Sequence, residues 1–347
     1  MPRYVPGARG PASAITPIKL SSNEVPFGPL PSVREAIAHA AGEVNRYPDM
    51  FSADLTGRLA AHLGVDPAHV VTGGGSVAVL AHVLQAYCDA GDQVIYAWRS
   101  FEAYPILASI SGIESAQVPN APNGRHDLAA MAAAVTARTK VVILCSPNNP
   151  TGPSIRHDEF EAFMATVPRS VLVVLDEAYV EFVRDPSTVD GQRALDRHPN
   201  LILVRTFSKA YGLAGLRIGY AVGPADLIAP VRACVTPFSV SSIAQIAAVA
   251  SLDAYDELLE RVDQVTAERA RVVPAVRELG FNVPDAEGNF FWLPVRDDAG
   301  PLAQALGALE PSVLVRPFAG EGVRVTIGIP SENDAMLAGL AAFRQRK

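Results

Sequence analysis

Short runs of β-branched and aliphatic residues recur along the first two thirds of the chain, at positions 70–72, 94–96, 141–145, 171–175, 201–204 and 218–222. Within each run apolarity is continuous rather than alternating, which predicts strands buried on both faces, as in a largely parallel sheet covered by helices. Alanine-rich stretches at 77–87, 128–135 and 157–167 separate the runs and carry helical spacing. This portion therefore predicts an α/β domain.

The pattern changes after about residue 250. Leu258, Val262, Val265, Val272, Val276 and Leu279 keep one helical face, interrupted at that phase by Arg269. One long helix is predicted over 253–279, kinked or split at Pro274, where a hydrogen bond is lost. Past Gly280, strands are predicted at 290–293, 313–316 and 323–327, then a closing helix from Asn333 with Glu332 and Asp334 near its positive end. That reads as a smaller α+β domain. Six prolines and little periodicity in the first 30 residues predict an arm that lies against something else. The division expected is an arm over 1–30, a large domain over 31–250 and a small domain over 251–347.

Composition narrows the function classes. The 347 residues, 49% hydrophobic and 19% charged, suit folded domains and exclude a disordered chain. Twenty-nine Lys and Arg against 36 Asp and Glu give a net charge of −7, so the electrostatic footprint of a nucleic-acid binder is missing and a small-molecule partner is expected. Cys88, Cys145 and Cys234 are far apart and form no Cys-x-x-Cys pair, which argues against a disulfide framework and a zinc site and fits a reducing compartment. No histidine pair has metal-ligand spacing, so no metal is expected. The N-terminus has no apolar signal core, and the longest aliphatic runs are about five residues against the roughly 18 of a membrane span. A cytoplasmic location is expected, with no membrane partner.

Four strand ends carry candidate chemistry. Thr206-Phe207-Ser208-Lys209-Ala210-Tyr211-Gly212, with Arg217 eight positions beyond the lysine, suits an aldehyde-binding lysine whose cofactor phosphate takes hydroxyl and guanidinium donors. The plainer reading is a surface lysine in a glycine-rich loop. Asp176-Glu177-Ala178-Tyr179 comes directly after the run at 171–175, placing a carboxylate where ligands of open α/β sheets bind; a protonated pyridine nitrogen is the cation it would need, and Tyr179 could bond the neighbouring phenolic oxygen. The plainer reading is a helix cap. Ser146-Pro147-Asn148-Asn149-Pro150-Thr151-Gly152 is a rigid turn presenting an amide, or simply an Asn-Pro turn. Val70-Val71-Thr72-Gly73-Gly74-Gly75-Ser76-Val77 is a strand, glycine loop and helix start, the usual backbone cradle for phosphate. Each motif is weak alone; their order along one α/β domain is not.

With these residues in place the sequence resembles the fold-type I pyridoxal-phosphate-dependent aminotransferases, specifically the histidinol-phosphate aminotransferase subfamily and its actinobacterial aromatic (phenylalanine) aminotransferase branch. The likeness runs from Lys19-Leu20-Ser21-Ser22-Asn23-Glu24 to Arg324-Val325-Thr326-Ile327-Gly328. It rests on the joint occurrence of Asn-Pro-Thr-Gly, Asp-Glu-Ala-Tyr and Ser-Lys-x-x-Gly-Leu-x-Gly-Leu-Arg. The resemblance implies pyridoxal 5'-phosphate as cofactor, Lys209 as its Schiff-base lysine, Asp176 as the partner of the ring nitrogen, and Asn149 and Tyr179 as donors to the phenolic oxygen. It implies Phe101 stacked on the ring, and the phosphate held by Gly75, the Ser76 and Val77 backbone, Thr206, Ser208 and Arg217. Val77 departs from the acidic residue many relatives place there, which puts a side-chain role at that position in doubt and leaves backbone contacts intact.

Tyr47 matches a tyrosine that reaches the phosphate from the other subunit, so a homodimer with shared sites is implied; its plainer reading is a packed aromatic before a Pro turn. Arg324 matches the arginine binding the substrate's anionic end, and Asn23 and Asn289 match positions near the substrate. Tyr4, Phe27, Tyr104 and Phe318 could add aromatic surface around the same cleft. The implied reaction is ping-pong transfer of the amino group of phenylalanine or tyrosine to 2-oxoglutarate, with histidinol phosphate as the alternative substrate and Arg316 the nearby cation for its phosphate. Residues 313–322 and Trp98-Arg99-Ser100-Phe101 look more like the aromatic branch. A cofactor-binding regulator on this fold would carry a DNA-binding module, and none is expected in a chain whose pattern begins by residue 19. A decarboxylase stays open, because shared motifs do not decide which bond to the α-carbon breaks.

Overall fold

The computed structural model describes residues 16–346; Tyr4 and the rest of the first 15 residues of the expected arm lie outside the described residues. The strands are β1 Ile18–Lys19, β2 Val70–Gly73, β3 Gln93–Trp98, β4 Glu114–Pro119, β5 Thr139–Cys145, β6 Leu172–Asp176, β7 Leu201–Thr206, β8 Gly219–Val222, β9 Phe290–Leu293, β10 Val313–Leu314, β11 Arg316–Phe318 and β12 Gly322–Thr326.

Seven of them form one sheet in the order β2-β8-β7-β6-β5-β3-β4. β8 alone runs against the others, pairing antiparallel with both β2 and β7. Every run of continuous apolarity noted before residue 250 lies in this sheet. Alternate residues of each strand serve different faces: Ile95, Val142, Leu144, Val173 and Leu175 join one buried cluster, while Val94, Val141, Ile143, Leu172 and Val174 join the other. Helices cover both faces, so both sets are desolvated, which is why the strands read as uninterrupted apolar runs.

The edge strand β4 is not legible in the sequence. Its residues Glu114-Ser-Ala-Gln-Val-Pro are mostly exposed, and only Val118 is buried. An edge strand has one neighbour and needs little apolar surface.

A second, three-stranded antiparallel sheet has the order β11-β12-β9. The stretch expected as one strand at 313–316 is instead two: β10 pairs in parallel with β1, and β11 pairs with β12. The segment serves two partners, and a hydropathy pattern cannot show that division. The long helix is Tyr255–Glu278 and is not split at Pro274. Pro274 stands in its last turns, where buried Val272, Val273 and Val276 hold the backbone against the core. Arg269, which interrupts the apolar face, is 6% exposed and donates to Phe182 O at 3.0 Å and Gly288 O at 2.9 Å, tying the helix to two other segments. The closing helix starts at Pro330, three residues earlier than expected, because Pro suits the first helical position and Glu332 accepts from the Ile329 N–H at 3.0 Å.

Candidate active site

The parallel strands all end on one side of the sheet, so the segments after β3, β5, β6 and β7 meet there with the helix after β2. A cavity of about 490 Å³ opens at that edge, in the size range of small-molecule sites. Lys209, Asp176, Tyr179, Asn149, Arg324 and Phe101 all line it, contributed by elements far apart in sequence.

Asp176 ends β6 and is 3% exposed. Its donors are neutral: the Tyr104 hydroxyl at 2.7 Å and the Ala178 N–H at 3.2 Å. Burial pushes its pKa up to about 6, the two hydrogen bonds pull the other way, and the Glu177 charge adds to the rise. A buried carboxylate supported only by neutral donors is a receptor for a cation.

Lys209 lies beyond β7 in the turn that begins at Ser208. Its Nζ donates to the carbonyls of Ser22 and Asn23, both at 3.2 Å. Burial, then the Arg324 charge, pushes its pKa down to about 7. Near neutral pH a large fraction of this amine is unprotonated, as a nucleophile or proton acceptor must be.

The remaining polar groups form a connected frame. Arg324 on β12 donates to Asn149 Oδ1 at 2.6 Å and to Ser21 O at 2.8 Å. Asn23 donates from Nδ2 to the Tyr179 hydroxyl at 3.0 Å, and its left-handed backbone (φ 53°) is pinned by Thr326, whose Oγ1 accepts from the Asn23 N–H at 2.9 Å. Asn289 donates to Asn23 O at 3.1 Å. Asn23 and Asn289 are wholly buried and absent from the cavity lining, so they brace Tyr179 and the Lys209 acceptors from behind.

At the other end of the cavity, Ser76 and Val77 open the helix Ser76–Tyr87, with Thr206, Ser208 and Arg217 alongside. Gly75 has φ +94°, and a Cβ there would collide with the Arg217 guanidinium. β8 packs as closely, since a Cβ on Gly219 would collide with the Ser76 N–H. Arg217 donates to Ser208 Oγ at 3.3 Å, and Thr206 Oγ1 accepts from the Ser208 N–H at 3.1 Å. A positive helix end, two hydroxyls and a guanidinium in one corner are a donor set for a phosphate. With a cation receptor and a low-pKa lysine in the same cavity, the residues fit pyridoxal phosphate.

Tyr47 does not line this cavity; it is 85% exposed and packs against Phe238 with ring centroids 4.9 Å apart. Cys145 does line it, but burial raises its thiol to about 12, which makes it a packing group. Sequence reasoning missed Tyr104 as the partner of Asp176, and Glu177 with Arg205, which form a buried ion pair with both contacts at 2.8 Å joining the ends of β6 and β7. Among the described residues no helix is long and apolar enough to cross a membrane, and no cluster could hold a metal ion.

Residues 15–339 match the family model of class I and II aminotransferases. The chain is 51% identical over 347 residues to the aromatic amino acid aminotransferase of Streptomyces avermitilis, an alignment covering 99% of this chain and 96% of that one. It is 50% identical over 345 residues to the protein of the same name from Streptomyces coelicolor, with 99% and 96% covered. Among solved structures, histidinol-phosphate aminotransferase from Sinorhizobium meliloti in complex with pyridoxal-5'-phosphate superposes with a TM-score of 0.87 at 30% identity, covering 95% of this chain and 91% of that one. The strand-end constellation and these likenesses lead to one conclusion: the chain belongs to the class I and II aminotransferase family.

Proposed function

We propose that this aminotransferase uses pyridoxal 5'-phosphate to move the amino group of phenylalanine or tyrosine to 2-oxoglutarate. The observation that carries the cofactor assignment is the convergence of a lysine lowered to about 7, a buried carboxylate with neutral donors and a phosphate-type donor corner in one cavity. In this reading Ser76, Val77, Thr206, Ser208 and Arg217 hold the phosphate, with Gly75 keeping the corner open. Asp176 would pair with the ring nitrogen, Asn149 and Tyr179 would bond the phenolic oxygen, and Phe101 would cover the ring. When bound, the cofactor supplies an electron-withdrawing ring that makes the α-carbon proton of an amino acid removable.

The chain's own residues do the rest. Lys209 Nζ, largely unprotonated near neutral pH, would accept the substrate's α-proton and hold it for return. Its two carbonyl acceptors, on Ser22 and Asn23, hold the amine in place between transfers. Arg324 clamps the substrate carboxylate with its planar fork, trading its bond to Asn149 for the ligand. Asp176 would stay anionic beside a ring cation and hold it in register, and Tyr104 holds Asp176.

Support for an aromatic substrate comes from the named relatives at about 50% identity and from the apolar wall formed by Phe101, Ile106, Leu107 and Phe318. Arg316, also in the wall, is the observation favouring histidinol phosphate as a second reading. We further infer a homodimer whose partner copy supplies Tyr47, since this exposed ring sits away from its own cavity. The division into an arm, a large domain over 31–250 and a small domain over 251–347 belongs to the same reading. So does a cytoplasmic location, supported by three unpaired cysteines. The test is steady-state transamination by the cofactor-loaded protein with phenylalanine or tyrosine as donor and 2-oxoglutarate as acceptor. Parallel double-reciprocal lines are expected; absence of aromatic 2-oxo acid product refutes the reading.

A further inference from the structure

Four alternating charges run outward from the cavity wall, where Glu102 and Arg316 stand. Arg316 on β11, its side chain 7% exposed, donates from Nη2 to Glu102 Oε2 at 2.6 Å. The other Glu102 oxygen lies 3.9 Å from Arg99 Nη1, and Arg99 is paired in turn with Glu321. The row links the segment after β3 to β11 and to the turn before β12. Phe318 stacks among these groups, with the Arg99 and Arg316 guanidiniums 5.3 and 5.2 Å from its ring centre. Glu102, Arg316, Phe101 and Phe318 all face the cavity.

Glu102 is therefore an internal anion already seated on the cation of the substrate wall. A ligand with a distal anion must compete with it for Arg316, in a part-buried setting where charges act more strongly than in water. A neutral ring displaces nothing and packs against Phe101 and Phe318. A single distal carboxylate can take over Arg316 if Glu102 moves onto Arg99, whose Nη1 already stands 3.9 Å away. A phosphate monoester brings close to two negative charges at neutral pH, and these would face the Glu102 carboxylate at short range.

We propose that Glu102 is a specificity-determining residue: by occupying Arg316 it admits neutral rings and single distal carboxylates and rejects a distal phosphate. The proposal rests on the aromatic aminotransferase reading.

The experiment compares kcat/KM for phenylalanine and histidinol phosphate, and KM for 2-oxoglutarate, in the loaded wild-type enzyme and its Glu102→Gln variant. Wild type prefers phenylalanine, and Glu102→Gln raises the histidinol phosphate to phenylalanine ratio about ten-fold, as expected for removing one close like charge. Glu102→Asp, which keeps the charge, holds the ratio near wild type. Arg99→Gln, which removes the retreat, raises KM for 2-oxoglutarate relative to that for phenylalanine and tests the same exchange without touching Glu102. If wild type prefers phenylalanine and Glu102→Gln leaves the ratio unchanged, or lowers all substrates alike, the role of Glu102 is overturned and the substrate reading stands. If wild type prefers histidinol phosphate, the substrate reading itself falls and takes the proposal with it.

Discussion

Replacing Asp176 with Asn separates what this residue does for the fold from what it does for catalysis. In the cofactor-free protein the carboxylate is 3% exposed and its pKa is raised from 3.8 to about 6 by burial. A folded-state pKa above the unfolded value means that the folded chain holds this proton more tightly. The protonated group is tolerated below about pH 4; stability falls as pH rises from about 4 through about 6, where the buried group is half ionised, and levels off above that. Ionising the group where its pKa stands at about 6 rather than 3.8 costs about 3 kcal/mol at neutral pH. Asn is neutral and similar in size; its single oxygen can keep the bond from the Ala178 N–H, while its NH2 group would donate to the Tyr104 hydroxyl. The cofactor-free Asp176→Asn protein is therefore expected to be about 1–3 kcal/mol more stable than wild type at pH 7.5, with the gap closing toward pH 4. Thermal melts of both proteins across that range, at fixed protein concentration, measure it. With cofactor bound the sign reverses for function: turnover with phenylalanine should fall by about 3 kcal/mol in the barrier, as for removal of one preorganised electrostatic partner. A variant no more stable than wild type at pH 7.5, or one that keeps wild-type turnover, refutes the argument.

The same geometry sets three further outcomes. Tyr104→Phe removes the 2.7 Å donor to Asp176 and should lower turnover by about 1–2 kcal/mol in the barrier with little change in KM for phenylalanine, read by steady-state kinetics. Gly75→Ala must place a Cβ against Arg217 at φ +94°, so cofactor affinity should fall by at least about ten-fold in a fluorescence titration while the sheet remains folded by circular dichroism. If the partner copy supplies Tyr47, mixing nearly inactive Tyr47→Ala and Lys209→Ala chains should restore part of the activity, and no recovery after demonstrated subunit exchange counts against shared sites.

The sheet and the groups at its strand ends are legible because buried parallel strands write continuous apolar runs, and ligands bind at the residues just beyond the carboxyl end of each run. Asp176 and Lys209 can be found this way, since each stands within a few residues of such an end. Tyr104 cannot, because it meets Asp176 across 72 positions of sequence, from a helix face that reads as ordinary apolar surface. Ser22 and Asn23 meet Lys209 through backbone carbonyls, which every residue type carries, so no side-chain pattern marks them. Arg269 looks like a flaw in a helix and is a tie between segments. The stretch at 313–316 reads as one strand because hydropathy records burial and is silent about which neighbour supplies it. Arg316 is visible in the sequence as a cation; that Glu102 pairs with it depends on the fold bringing residues 102 and 316 together.

The central claim is that one lysine, sharing a cavity with Asp176 and the phosphate corner, carries the cofactor. Borohydride reduction of the cofactor-loaded protein, with peptide mapping of the product, tests it directly. The account predicts the pyridoxyl label on Lys209 and its loss, with the visible absorbance, in Lys209→Ala. A label on Lys19, Lys140 or Lys347, or an unchanged yield in Lys209→Ala, would contradict it.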